Sequence, residues 1–138
     1  MVFLTAVALT AFPSCAGEWP GRLTSDAHHV DFATLASADH LRVVRTRDRS
    51  VVLQTTDSEH LWAAAHFARQ RQDRWVEVFP GPMAPVLQLE FSRNGKQVQF
   101  YGIADAYMTW GGWSRRVAPE DIEALRERLG VPDAWHTR

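Results

Sequence analysis

Between residues 39 and 79, the hydrophobic positions predict two short strands, a helix and a third strand. Leu41–Arg45 and Ser50–Gln54 are rich in β-branched residues, and the four polar residues between them suit a turn. Apolar residues then recur at helical spacing up to about Gln72, namely Leu61, Ala64, Ala65 and Ala68, with Trp62 and Phe67 widening the stripe. Trp75–Phe79 alternates as a strand and ends at Pro80.

The clearest hairpin joins Val86–Ser92 to Gln97–Ile103 across Asn94-Gly95, a dipeptide typical of a type I′ turn. A regular ladder from this tip predicts one apolar face, with Phe91 opposite Val98, Leu89 opposite Phe100 and Leu87 opposite Gly102. The same ladder places Glu90 opposite Gln99 and Gln88 opposite Tyr101 on the other face.

A further hairpin and a final helix complete the pattern. Tyr107–Trp110 and Trp113–Val117 flank Gly111-Gly112, so Trp110 and Trp113 are expected to lie directly opposite each other. Pro119 suits the first position of the last helix, and Gly130 suits the residue after it. The apolar seam of this helix consists of Ile122, Leu125 and Leu129.

The predicted order of elements is therefore β-β-α-β-β-β-β-α, which indicates the α+β class. The simplest arrangement is a single mostly antiparallel sheet of about five to six strands, with two helices packed on one face. Residues 39–131 form the predicted compact domain. Residues 17–38 are expected to be an irregular N-terminal arm, and residues 132–138 a C-terminal tail.

Residues 1–16 have the outline of an export leader. Val2–Phe12 is apolar and uncharged, Pro13 interrupts it, and small residues follow. Cleavage after Ala16 is one interpretation. In the other, Cys15 is acylated, because the segment resembles a bacterial lipobox, although Phe12 and Pro13 depart from that motif. The alternative to both is an N-terminal strand or helix buried in the fold. Either export interpretation predicts a periplasmic, secreted or lipid-anchored protein of the cell envelope.

Composition and charge narrow the functional classes. Fifteen basic against sixteen acidic residues give a net charge of −1, which does not favour nucleic-acid binding, so no nucleic-acid partner is predicted. Membrane contact is expected only through a lipid at Cys15. A hydrophobic content of 46% and six tryptophans argue against disorder. With Cys15 as the single cysteine, no intramolecular disulfide can form, so the core must provide the stability.

The sequence gives little support for catalysis. It has no Gly-x-Ser-x-Gly elbow, no His-Glu-x-x-His helix and no glycine-rich phosphate loop. No metal and no cofactor are therefore predicted, and a binding role is favoured over catalysis. An enzyme remains an alternative: a small hydrolase or metal-dependent enzyme would need His66, Glu77 and Asp105 to converge on one pocket.

Aromatic side chains provide the best candidate site for ligand binding. Trp75, Phe79 and Tyr101 are expected on the sheet face opposite the main core, and Trp110 and Trp113 flank the two-glycine tip. Such residues concentrate binding energy at recognition surfaces. The alternative is a second core face covered by a helix or by the arm. The sequence thus predicts a non-enzymatic binding domain of the cell envelope whose ligand is a protein or a glycan, with a structural tethering lipoprotein as a further alternative.

Overall fold

The computed structural model describes residues 23–24, 32–77 and 85–131. Within these residues, the strands are β1 (Leu23–Thr24), β2 (His40–Arg45), β3 (Val51–Thr55), β4 (Trp75–Glu77), β5 (Leu87–Arg93), β6 (Lys96–Ala104), β7 (Tyr107–Trp110) and β8 (Trp113–Arg116). The helices are α1 (Phe32–Ala36), α2 (Ser58–Arg69) and α3 (Pro119–Leu129).

One antiparallel sheet organises the described part of the chain. Its strand order is β1-β4-β8-β7-β6-β5-β2-β3, and every neighbouring pair is antiparallel. Buried residues of all three helices join those of one sheet face in a single hydrophobic core. The predicted α+β class and the helix-covered antiparallel sheet are confirmed, although the sheet has eight strands and a third helix is present.

The additional elements come from the segment predicted to be an irregular arm. Leu23 and Thr24 pair with Val76 and Trp75, and Phe32–Ala36 forms a short helix whose Leu35 is only 1% exposed. The prediction of an irregular arm is therefore wrong for these residues. Five residues are too few for helical periodicity to emerge from the sequence, and packing against α2 stabilises them instead.

The β5–β6 hairpin has the predicted turn but a different register. Asn94 and Gly95 have φ angles of 51° and 77°, as a type I′ turn requires. Ser92 pairs with Gln97, but Phe91 pairs with Gln99, so Val98 is an extra residue in β6. Such a β-bulge reverses the facing of every later residue relative to the predicted ladder. Leu89 consequently lies opposite Tyr101, and Glu90 lies opposite Phe100.

The bulge places Tyr101 at the centre of the core. Its side chain is fully buried, its ring lies 5.8 Å from that of Phe91, and its hydroxyl donates a 2.7 Å hydrogen bond to the carbonyl of Ala64 in α2. Burial raises the pKa of the Tyr101 phenol well above its usual value. The side chain is therefore a neutral donor that connects the sheet to a helix.

Capping residues mark the start of α2 and both ends of α3. Asp57 caps α2 by accepting a hydrogen bond from the amide of Glu59, and α3 begins at Pro119 and ends before Gly130, whose φ is 64°. The predicted seam of α3 is buried as expected, at Ile122, Leu125 and Leu129. Trp62 is an exception to the predicted stripe of α2, because it is 53% exposed.

Arg71 fastens the end of α2 to α3. Its guanidinium lies 3.9 Å from the centre of the Phe67 ring, donates to the Phe67 carbonyl at 2.9 Å and forms a 2.9 Å ion pair with Asp121. Only 10% of the Arg71 side chain is exposed. The Arg71 side chain therefore packs on Phe67 of α2 and forms an ion pair with Asp121 of α3, and these contacts connect the two helices.

Gly102 lies in close contact with Pro85 and Thr109 on the sheet face opposite the helices. A Cβ atom here would lie 2.6 and 2.9 Å from two carbons of Pro85 and would also clash with the Thr109 hydroxyl. We expect Gly102→Ala to lower the free energy of unfolding by about 1–3 kcal/mol, because the overpacked site must shift backbone or ring atoms. Urea denaturation measures the loss.

Gly112→Ala is the matched control for this substitution. Gly112 has no atom within 4 Å of the added Cβ, and its backbone needs no positive φ. The control is expected to change stability by less than about 0.5 kcal/mol. Equal losses in the two variants would contradict the close contact of Pro85 with Gly102.

Candidate functional site: a charged groove on the open sheet face

The described residues of the predicted aromatic patch do not assemble as one exposed surface. Trp75 is 1% exposed and donates from Nε1 to the Arg71 carbonyl at 2.9 Å, and Tyr101 is fully buried for the reason given above. Both lie on the helix-covered face, so the expectation of exposed binding residues is wrong for them, and their aromatic rings belong to the core. Phe79 and the lipidation candidate Cys15 lie outside the described residues.

Trp110 and Trp113 do lie directly opposite each other, as predicted. Both are partly buried and pack against the core. The indole Nε1 of Trp110 donates to the side-chain oxygen of Gln99 at 3.2 Å. This pair therefore extends the core towards the exposed Gly111-Gly112 tip and does not meet Trp75 and Tyr101 in one exposed patch.

Arg115, two residues after Trp113, binds Asp73 in the loop before β4. Its guanidinium donates to the backbone carbonyl of Asp73 at 2.7 Å and to the carboxylate at 3.1 Å. The hydrogen bond from Arg115, assisted by its charge, holds the pKa of Asp73 below the usual value of 3.8. Because the folded-state pKa is lowered, this pair stabilises the fold above the unfolded pKa, and the contribution is lost as the pH falls through the lowered value.

We expect Arg115→Gln to raise the pKa of Asp73 towards 3.8, because the largest cause of the lowered value is removed. NMR titration of the Asp73 carboxyl carbon measures the change. Arg93→Gln, an exposed arginine at another turn, is the control and should leave the Asp73 titration unchanged. An unchanged titration in Arg115→Gln would show that the pair does not persist in solution.

The residues of the alternative enzyme site show no convergence in the described part of the chain. His66 stacks on Trp62 with ring centres 4.4 Å apart, whereas Asp105 is an exposed residue of the β6–β7 turn. The side chain of Glu77 lies outside the description. Among the described residues, no group of three or more histidine, cysteine or acidic side chains is placed to hold a metal ion.

A groove of about 510 Å³ opens on the sheet face that the helices do not cover. Strands β2, β3, β5 and β6 supply its floor, because alternate residues of each strand point to this face. The described lining is polar and charged, and it consists of His40, Arg42, Gln54, Glu90, Ser92, Gly95 and Gln97.

Glu90 is the buried centre of this groove. Its side chain is 4% exposed, yet it keeps four hydrogen-bond donors within reach. Arg42 approaches one carboxylate oxygen with Nε at 2.7 Å and Nη2 at 2.6 Å. The other oxygen accepts from Arg49 at 3.1 Å and from the amide of Gln88 at 3.2 Å. A buried carboxylate is tolerated here because it is paired and fully hydrogen-bonded.

Strand pairing explains how these charges meet. Arg42 lies directly opposite Glu90 on β5 and opposite Gln54 on β3. Arg49 reaches the same carboxylate from the β2–β3 turn, where its backbone is left-handed with a φ of 60°. The arginines remain 43% and 59% exposed, so the cluster holds them at the groove without covering them.

The aromatic interpretation of the sequence missed this cluster. Arg42, Arg45, Arg47 and Arg49 lie close together in the first hairpin, and that signal favours a solvated face, because acidic residues are interspersed. Glu90 is far away in sequence, and only the pairing of β2 with β5 shows that the two belong together.

Comparisons with protein-family models, with curated proteins and with solved structures find no match to this chain. The function must therefore be inferred from the geometry of its own residues. Among the described helices, none combines the length and the apolar character needed to cross a membrane.

Proposed function

We propose that this protein is a non-enzymatic binding domain of the cell envelope that recognises an acidic segment of a partner protein. The observation that carries the proposal is a pair of half-exposed arginines bound to the buried carboxylate of Glu90: Arg42 lines the open groove, and Arg49 reaches Glu90 from the β2–β3 turn. Two guanidinium groups against one carboxylate leave one net positive charge. A ligand carboxylate is the group that complements it.

The arginines are positioned before a ligand arrives. Each guanidinium has five N–H donors, of which Arg42 uses two and Arg49 one on Glu90. The remaining donors are available to a planar carboxylate in the geometry that arginine recognises best. Because Glu90 already restrains both side chains, binding costs less conformational entropy than it would with free arginines.

The groove favours a protein ligand over a glycan. Its described lining consists of charged, amide and hydroxyl side chains together with a histidine and a glycine, and it contains no tryptophan, tyrosine or phenylalanine on which a sugar ring would stack. Of the described aromatic rings predicted for that role, those of Trp75 and Tyr101 lie in the core, and those of Trp110 and Trp113 lie at the tip. Gln54, Ser92 and Gln97 instead supply polar groups suited to a peptide backbone.

Hexaglutamate with blocked ends is a direct probe of the groove. We expect Arg42→Gln and Arg49→Gln each to weaken its binding about tenfold or more, since a hydrogen bond to a charged group contributes about 1.5–3 kcal/mol. Isothermal titration calorimetry at low salt measures the affinity, which should fall as salt screens the charges.

Arg69→Gln is the matched control, because it removes the same charge from an exposed position on α2. It should bind hexaglutamate as the wild type does. Equal weakening in all three variants would indicate attraction to overall charge and would contradict a specific groove. A glycan ligand is supported instead if an uncharged oligosaccharide binds and hexaglutamate does not.

The envelope location is part of the same proposal and is supported by the apolar, uncharged segment Val2–Phe12. Mass spectrometry of the mature N-terminus distinguishes cleavage after Ala16 from acylation of Cys15. Under the lipid interpretation, Cys15→Ser abolishes membrane retention, as a tethering lipoprotein requires. Under the other, secretion continues unchanged. An intact cytosolic chain that begins at Met1 would contradict export.

A further inference from the structure

Strand β3 forms one edge of the sheet. In the part of the chain that the structure describes, it pairs with β2 alone, so part of its backbone N–H and C=O groups face away from the sheet. Val51 on this strand is 48% exposed and Gln54 is exposed as well. Exposed edges of this kind are templates for pairing with another strand.

The charges that flank β3 are of opposite sign at its two ends. Arg47, Asp48 and Arg49 precede the strand and give that end one net positive charge, whereas Asp57 and Glu59 follow it, and all five residues are exposed. The edge is thus basic where it begins and acidic where it ends. A second β3 strand that runs antiparallel to the first therefore places its acidic end beside the basic end of the first strand, and its basic end beside the acidic end.

We infer that β3 pairs antiparallel with β3 of a second copy of this chain. A two-fold axis at Leu53 brings Arg47 of one copy near Glu59 of the other, and Arg49 near Asp57. Leu53, Gln54 and Thr55 form the regular stretch of β3, since the strand has a bulge at Val52 in its pairing with β2. The basic end of each strand then lies over the acidic end of the other, so the favourable charge contact occurs twice. The two eight-stranded sheets join into one continuous sheet.

Charge favours a second copy over an unrelated acidic strand at this edge. A uniformly acidic segment would meet Arg47 and Arg49 but would be repelled by Asp57 and Glu59 at the other end. The second copy satisfies both ends. The pairing uses backbone groups at the edge of β3. Arg49 contributes to both the groove and the charge contact between copies, whereas Arg47 and Glu59, which the test below reverses, do not line the groove.

Charge reversal tests this inference in the full-length protein. Sedimentation velocity over roughly 10 to 500 µM is expected to show wild type at twice the mass of one chain at the upper end. Arg47→Glu and Glu59→Arg should each be monomeric at low salt, because each places like charges together. An equimolar mixture of the two variants should dimerise again, since both charge contacts are then restored. Amide exchange over Val51–Thr55 should slow in the dimer.

Glu127→Arg, at an exposed position of α3, controls for the loss of an acidic residue and should leave the dimer intact. A monomeric wild type over the whole concentration range overturns the inference. A dimer that survives both reversals, or two variants that remain monomeric when mixed, overturns it too.

Discussion

Tyr101→Ala is expected to lower the free energy of unfolding by about 3–5 kcal/mol, the cost of removing a large aromatic ring from a packed core. The Tyr101 ring is fully buried between Phe91 and Phe67, with ring centres 5.8 and 6.3 Å away. Its hydroxyl adds the hydrogen bond to Ala64. Tyr101→Phe keeps the ring and should cost only about 1–2 kcal/mol, because it loses that bond alone.

Phe100→Ala is the matched control, since it truncates the neighbouring aromatic residue on the opposite face. Phe100 is only partly buried and should cost about 1–2 kcal/mol. Equilibrium unfolding in urea ranks the three variants. If Phe100→Ala were the more damaging of the two alanine variants, the hairpin would follow the regular ladder from its tip, and the bulge at Val98 would be contradicted.

Trp75→Ala carries the other large expected effect, again about 3–5 kcal/mol. The Trp75 side chain is 1% exposed, and its indole N–H donates to the Arg71 carbonyl, so truncation creates a cavity and removes a buried hydrogen bond. Typical domains are stable by about 5–15 kcal/mol, so this loss is a large share of the whole.

Trp62→Ala is the control for this substitution. Trp62 is 53% exposed and contacts His66 and Arg128 at the surface, so its removal should cost no more than about 1 kcal/mol. Thermal unfolding measures the contribution of Trp75 to the core, and hexaglutamate binding measures any contribution to the ligand site. Trp75→Phe keeps a large ring in the core and should bind hexaglutamate with wild-type affinity. A loss of affinity without a loss of stability would contradict the core role and would show that Trp75 belongs to the ligand site.

Local signals in the chain predicted most elements of the fold. The Asn94-Gly95 turn, the Pro119 start and Gly130 end of α3, and the Trp110–Trp113 pair are all found as expected, because each depends on residues close together in sequence. The same is true of the α+β class, which follows from the order of the elements.

The candidate site was not predicted from the sequence, which favoured aromatic side chains over the cluster of Arg42, Arg49 and Glu90. One extra residue at Val98 decided which aromatic side chain enters the core, and a bulge of this kind leaves no periodic signal to find in the sequence. Trp75 was predicted on the wrong face because the short strand β4 has too few residues to define which face is buried without knowing its neighbours, β1 and β8.

By itself, the sequence determined the elements from β2 to α3, their order and the caps of α3, because turn chemistry and hydrophobic spacing act over a few residues. Tertiary structure alone decided the order of the strands, the facing of Tyr101 and the meeting of Arg42 and Arg49 at Glu90. These features depend on contacts between distant segments, where burial and pairing of charge outweigh local preference.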